Sequence, residues 1–274
     1  MKIQNMDGTS CQFPPRRFGP SPPRLPKPVV WPPFFEQQGL MMTDSFALSG
    51  GETLVDFAYR RLRHDIITGA RPPGERLRIE MLKARYGIGP TPLREALQKL
   101  GQDGLVLTEG NRGFTVAPLD PAEFEDLNLA RTALEKEALR LSIARGDDAW
   151  EARVVAASYI MAKEDEAIMK AHDGVPDSWE RANAEFHGAL VSATGSRWLL
   201  RVRAGLHDHC ERYRRASVFQ HLGVRDLGAE HAAIARAALA RDAELACALT
   251  EKHFAITAAN LKDDAAALGG HPRP

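Results

Sequence analysis

The chain has 274 residues, with 36 Lys and Arg balanced by 36 Asp and Glu. That length fits two domains, and the zero net charge excludes a general polyanion binder. No apolar run approaches the roughly eighteen residues of a membrane span, no apolar leader opens the chain, and the three cysteines (Cys11, Cys210, Cys247) form no CxxC, so a reduced, cytoplasmic protein without a disulfide framework is expected.

Residues 1–50 differ in kind from the rest. Half of the eighteen prolines fall between Pro14 and Pro33. Proline fixes φ and lacks an N–H, so an extended or disordered tail is predicted. Met41-Met42 at its end fits an over-long start. A proline-rich docking segment is the other reading.

A helix is predicted from Thr53, with Leu54, Phe57, Ala58, Leu62, Ile66 and Ile67 at helical spacing. Gly69 and Pro72-Pro73-Gly74 stop it. A second runs from Ile79 to Tyr86, with Met81 and Leu82 inward. After the turn Gly87-Ile88-Gly89, a third opens at Pro90-Thr91-Pro92, where Thr91 is expected to cap it and touch phosphate. Leu93, Ala96, Leu97 and Leu100 share one face, and Arg94, Gln98 and Lys99 lie off it. Two β-rich runs, 104–108 and 114–116, flank the polar turn Gly110-Asn111-Arg112-Gly113 and predict a hairpin. Three helices and a hairpin make a winged helix-turn-helix over residues 51–117, the arrangement that holds a helix in the DNA major groove. Between Thr53 and Ala117, eleven Lys and Arg stand against seven Asp and Glu, a local +4. Arg94, in the first turn of the third helix, has the reach for guanine O6 and N7. Gln98 and Lys99 suit phosphates, and Asn111, Arg112 and Gly113 place a wing against the backbone or minor groove.

Beyond Pro121 only helical patterning is present. Breaks leave about six helices, roughly 121–145, 149–172, 177–194, 197–219, 228–240 and 243–262. They predict an all-α bundle over residues 121–264, with Asp148, Asp177 and Asp242 as N-caps. The fold class is therefore mainly α.

The bundle carries a metal-ligand pattern. Asn183 and His187 are four apart, so they share a helix face about 6 Å apart along the axis. His231 lies ten residues before the break at Arg241-Asp242 and His253 eleven beyond it, so an antiparallel hairpin brings the two level. The set Asn183, His187, His231 and His253 then converges inside the bundle. The plainer alternative is that these histidines are core or surface residues joined by hydrogen bonds. His207 and His209 flank the set, and Arg131 and Glu135 have the spacing of an ordinary helix-face ion pair.

Ile66-Ile67-Thr68-Gly69, Pro72-Pro73-Gly74-Glu75-Arg76-Leu77, Pro92-Leu93-Arg94-Glu95-Ala96-Leu97 and Gly104-Leu105-Val106 resemble the DNA-binding domain of the GntR family of bacterial regulators. The helical half resembles its FadR-type branch with an FCD ligand-binding domain, through Phe186-His187, Glu230-His231 and a histidine twenty-two residues on, His253. Two positions depart from that pattern. Pro90 stands where many members carry a basic residue, which implies that one DNA contact is missing or replaced. Asn183 stands where many carry Asp. The resemblance implies a homodimeric transcription regulator, a repressor by family habit, that binds a double-stranded operator and no membrane. It implies a divalent ion (zinc, or nickel or manganese) and an Arg131 that clamps the carboxylate of a small organic acid. Two other readings stay open: a metal-dependent hydrolase-like enzyme on a DNA-binding head, and an interaction protein without a ligand. Glu185 and Glu230 are merely adjacent in sequence to the histidine set, and no carboxylate has a clear claim to be a general base.

Overall fold

The computed structural model describes residues 51–108, 113–170, 175–218 and 225–269. The head is built from α1 (Leu54–Ile67), β1 (Arg76–Leu77), α2 (Ile79–Tyr86), α3 (Pro90–Gln102), β2 (Val106–Thr108) and β3 (Phe114–Val116). Thr53 caps α1, its hydroxyl accepting from the Asp56 N–H. Ala58, Leu62 and Ile66 of α1 meet Leu93, Ala96, Leu97 and Leu100 of α3 in one buried cluster. Each fully buried leucine there contributes about 1.5–3 kcal/mol. Gly87, at φ 68°, ends α2 in the left-handed region and turns the chain into α3.

Three expectations for the head need correction. Thr91 does not cap α3: the N-cap is Gly89, no side chain caps it, and Thr91 lies inside the first turn. Met81 points outward at 65% exposed, because the short α2 turns only Leu82 fully into the core. The sheet has three strands in the order β1-β3-β2, all antiparallel. The sequence reading lacked β1 because two residues are too few to show a period.

The second half consists of α4 (Pro121–Arg145), α5 (Asp148–Ile168), α6 (Asp177–Leu190), α7 (Arg197–Val218), α8 (Leu227–Leu239) and α9 (Ala243–Gly269). α4 packs on α7 and α9, α5 on α6 and α8, and α8 on α9. Trp150, Met161, Trp179 and Phe186 are buried at the centre. The two indole N–H groups are satisfied, Trp150 by the Leu190 carbonyl at 3.2 Å and Trp179 by Asp165 at 2.9 Å. Asp242 accepts from the Leu245 N–H as expected. Asp148 does not cap α5; Asp147, one residue earlier, accepts from the Trp150 N–H. Asp177 does not cap α6, whose N-cap is Pro176, and it receives Arg215 instead. α6 stops at Leu190 rather than 194, and α9 runs to Gly269 rather than 262.

A small third cluster lies where the chain enters the bundle. Phe124 stacks on Tyr213 with ring centroids 4.6 Å apart, beside Leu119. The Tyr213 hydroxyl accepts from the Asp120 N–H and donates to Glu123. Among the described residues no helix is long and apolar enough to cross a membrane.

Candidate functional site

The outward face of α3 presents Thr91, Arg94, Gln98 and Lys99, all exposed. Arg94 joins Arg76, Leu77, Arg78, Ile79, Gly113 and Phe114 around an open groove of about 420 Å³. Sequence reasoning missed Arg76 and Arg78. Their signal was the alternation Arg76-Leu77-Arg78, which buries Leu77 and turns both arginines out. Lys99 is engaged elsewhere, its Nζ 2.9 Å from Asp56 on α1. Asn111 and Arg112 lie outside the described residues, and Gly113 stands at φ 96° at the foot of the wing. The leading end of α3 is poor in main-chain donors. Pro90 and Pro92 have no N–H, and the Leu93 N–H bonds the Gly89 carbonyl. Of the first four residues, only Thr91 keeps an amide for a ligand.

Inside the bundle, the ligand atoms of His187, His231 and His253 all lie within 4.8 Å of one another. All three are buried, as is Asn183 one turn before His187. Two of the rings are oriented from behind. His231 Nδ1 lies 2.7 Å from Asp165, and His253 Nδ1 lies 2.7 Å from Glu230. Those bonds leave each Nε2 over. His231 Nε2, both nitrogens of His187 and Asn183 Oδ1 are buried without a hydrogen-bond partner. Orphaned polar atoms are costly inside a protein, and a cluster of them calls for an occupant. Burial, reinforced by the nearby imidazoles and arginines, pulls His187 well below the usual imidazole range. His253 is pulled down to about 3, mainly by burial and against the pull of Glu230. Neutral imidazoles are the form that binds a metal. Three such nitrogens, two backed by carboxylates, and a spare amide oxygen fit a zinc-like divalent ion.

Arg131 does not pair with Glu135. Its guanidinium carbon lies 3.7 Å from the centroid of the Phe254 ring, and no hydrogen bond to it is found among the described residues. Phe254 touches His187, so the cation stands beside the histidine cluster. Burial, with Arg214 and Arg203 nearby, lowers its pKa from the ordinary guanidinium value. Glu135 is held instead by Arg203, at 2.6 and 3.0 Å. The cavity edge therefore carries a half-buried cation with no hydrogen-bonded anion among the described residues.

Residues 54–116 match the bacterial regulatory proteins of the gntR family, and residues 126–255 match the FCD domain. The HTH-type transcriptional regulator BphR of Paraburkholderia xenovorans (strain LB400) is 41% identical over 202 residues, 74% of this chain and 82% of that one. The chain belongs to the GntR family. It is a DNA-binding transcription regulator with an FCD domain. The HTH-type transcriptional repressor GlaR of Escherichia coli (strain K12) is 37% identical over 200 residues, 72% of this chain and 90% of that one. Two solved structures share the fold. E. coli McbR/YncC has a TM-score of 0.62 at 19% identity, covering 77% of this chain and 98% of that one. A transcriptional regulator GntR from Rhodococcus sp. RHA1 has a TM-score of 0.60 at 24% identity, covering 80% and 99%.

In this GntR-family chain, the supports of the FCD cavity are the residues that sequence reasoning did not find. Asp165 lies on α5, far in sequence from the His231 it orients. Arg225 grips both oxygens of Glu230, at 2.8 and 2.6 Å, and also reaches the His253 carbonyl and Thr257. With those partners, and despite its burial, the Glu230 carboxyl is held down at about 2. Glu230 is thereby committed to positioning, and Glu185 is exposed while its neighbours Asn183 and His187 are buried.

Proposed function

We propose that this regulator is a homodimeric repressor whose hold on its operator is set by a small organic acid in a metal-containing FCD domain. Asn183, His187, His231 and His253 would hold the ion, with zinc favoured and nickel or manganese next. The ion supplies a positive charge that three neutral imidazoles and an amide leave uncompensated. Arg131 would take a carboxylate of the effector through its fork of donors. Thr91, Arg94, Gln98 and the wing residues Asn111, Arg112 and Gly113 would contact DNA together with Arg76 and Arg78, and Lys99 would do so once released from Asp56. Two heads on a near-palindromic site double those contacts. The name of the relative GlaR supports repression. Residues 51–117 would form the reading unit and 121–264 the sensing unit.

One observation carries this reading: partnerless buried atoms on Asn183, His187 and His231 stand beside Arg131, a cation with no ion pair among the described residues. Metal analysis of untagged wild type and His187→Ala, followed by thermal unfolding against a panel of mono- and dicarboxylates, tests it. A bound divalent ion and a carboxylate-dependent rise in melting temperature, both confined to the wild type, are expected. A wild type without metal, or the same response in both proteins, overturns it.

A further inference from the structure

The helix α7 has partners in both halves of the molecule. Toward the sensor, Arg203 holds Glu135, whose Oε1 is 3.9 Å from His187 Nδ1. Further along, the buried Arg214 holds Glu180 on α6, the helix that carries Asn183 and His187. Toward the head, the same helix makes three polar contacts. His209 Nε2 lies 2.7 Å from the main-chain carbonyl of Asp103, the C-cap residue of α3. Asp208 receives a two-point ion pair from Arg63 of α1. Arg212 donates to the Ala117 carbonyl at 2.6 Å from a buried position. The fit is close: Gly104 follows α3 at φ +75°, and a Cβ there would stand 3.3 Å from His209 Cε1. Burial pulls the Asp208 carboxyl up, but the bonds from His207 and Arg63 outweigh it and keep it below the ordinary value, so it is charged when it meets Arg63.

The cores of head and bundle are separate clusters. They meet at these polar contacts, beside the small cluster of Leu119, Phe124 and Tyr213 at the entry to the bundle. A polar junction of this kind leaves two domains free to shift relative to each other. Arg203 and Arg212 are nine residues apart on one unbroken helix, about 14 Å of rise. A displacement at the Arg203 end therefore reaches the end of α3 through the helix itself.

We propose that α7 is a latch: His209 fixes the C-terminal end of the DNA-reading helix, Asp208 fixes α1, which packs on it, and the state of the histidine cavity reaches them through Glu135 and Arg203. The trigger rests on the metal reading given above. The latch names how that site regulates the head. A ligand acts through the latch only to the extent that it favours one setting of α7 over another.

Hydrogen exchange of the full chain, with zinc alone as the probe, tests this. In the wild type, zinc should slow exchange in α6, α8 and α9, and by at least about fivefold at residues 99–105, the low end of allosteric coupling. In the double variant Asp208→Asn/His209→Ala, and in Arg63→Gln, which leaves α7 intact, zinc should still protect the sensor helices while the change at 99–105 disappears. The retained sensor protection shows that the variants fold. Zinc protection confined to the sensor in the wild type, or persisting at 99–105 in both variants, overturns the latch and leaves the metal reading standing. If zinc protects no helix, the metal reading fails, and Arg203→Gln decides the latch alone. Faster exchange at 99–105 then supports it, and unchanged exchange overturns it.

Discussion

Asp165 accepts a hydrogen bond from His231 Nδ1 at 2.7 Å, and that bond leaves the Nε2 lone pair of the ring bare toward the bundle interior. A carboxylate only accepts, so the proton is on Nδ1. Glu230 likewise accepts from His253 Nδ1 at 2.7 Å. Two imidazoles from consecutive helices are thus set in the same tautomer by two acids from different parts of the chain.

Asp165→Asn and Glu230→Gln should each weaken zinc binding by about 10–100-fold, the usual cost of losing such a support. Calorimetric titration of the purified variants measures it. Asn can still accept from the Trp179 N–H, so the fold should survive the first change. Unaltered affinity in both would show that the two acids serve packing alone.

Adding zinc should stabilise the protein by about 2.7 kcal/mol at a hundredfold excess over its dissociation constant. Thermal unfolding with and without a chelator reads this directly. The increment should vanish in His187→Ala, whose two ring nitrogens have no other partner.

Arg131→Met should leave the metal-free protein as stable as before, or raise its melting temperature. Replacing a half-buried cation that has no hydrogen-bonded anion by an apolar chain of similar volume relieves its desolvation cost. The lost contact with the Phe254 ring offsets part of that gain. The same change should abolish the response to organic acids. A lower melting temperature together with a retained response would make Arg131 a packing residue.

Arg94→Ala and Arg76→Ala should each cost about 1–3 kcal/mol of operator affinity if they meet base edges. Fluorescence anisotropy on the native operator and on single-base variants of it separates the two roles. A residue that reads a base loses discrimination at one position, and a phosphate contact weakens all sequences alike. No loss from Arg94→Ala would remove α3 from the interface.

Local periodicity made much of this architecture legible. The row Leu93, Ala96, Leu97 and Leu100 is wholly buried, because a 3.6-residue repeat is a property of the chain alone. Asn183 and His187 share a helix, and the nearly equal arms about Arg241-Asp242 bring His231 and His253 together, for the same reason. What stayed hidden depends on long-range packing. Arg203 is an ordinary helical arginine until α4 places Glu135 against it, and that pairing overrides the i,i+4 rule that pointed to Arg131. Asp165 gives no local sign that it faces His231. Consecutive acids at 147 and 148 made the α5 cap ambiguous by one residue.

The two prolines at the start of α3 have a consequence for how the head searches DNA. A helix that approaches phosphate with its first turn ordinarily offers several main-chain amides, a grip indifferent to sequence. Here, of the first four residues of the helix, Thr91 alone keeps an amide for that purpose. In the proposed complex the grip on phosphate would then fall to side chains. On that proposal, random DNA should be released quickly and a correct site held longer, general adhesion being exchanged for selectivity.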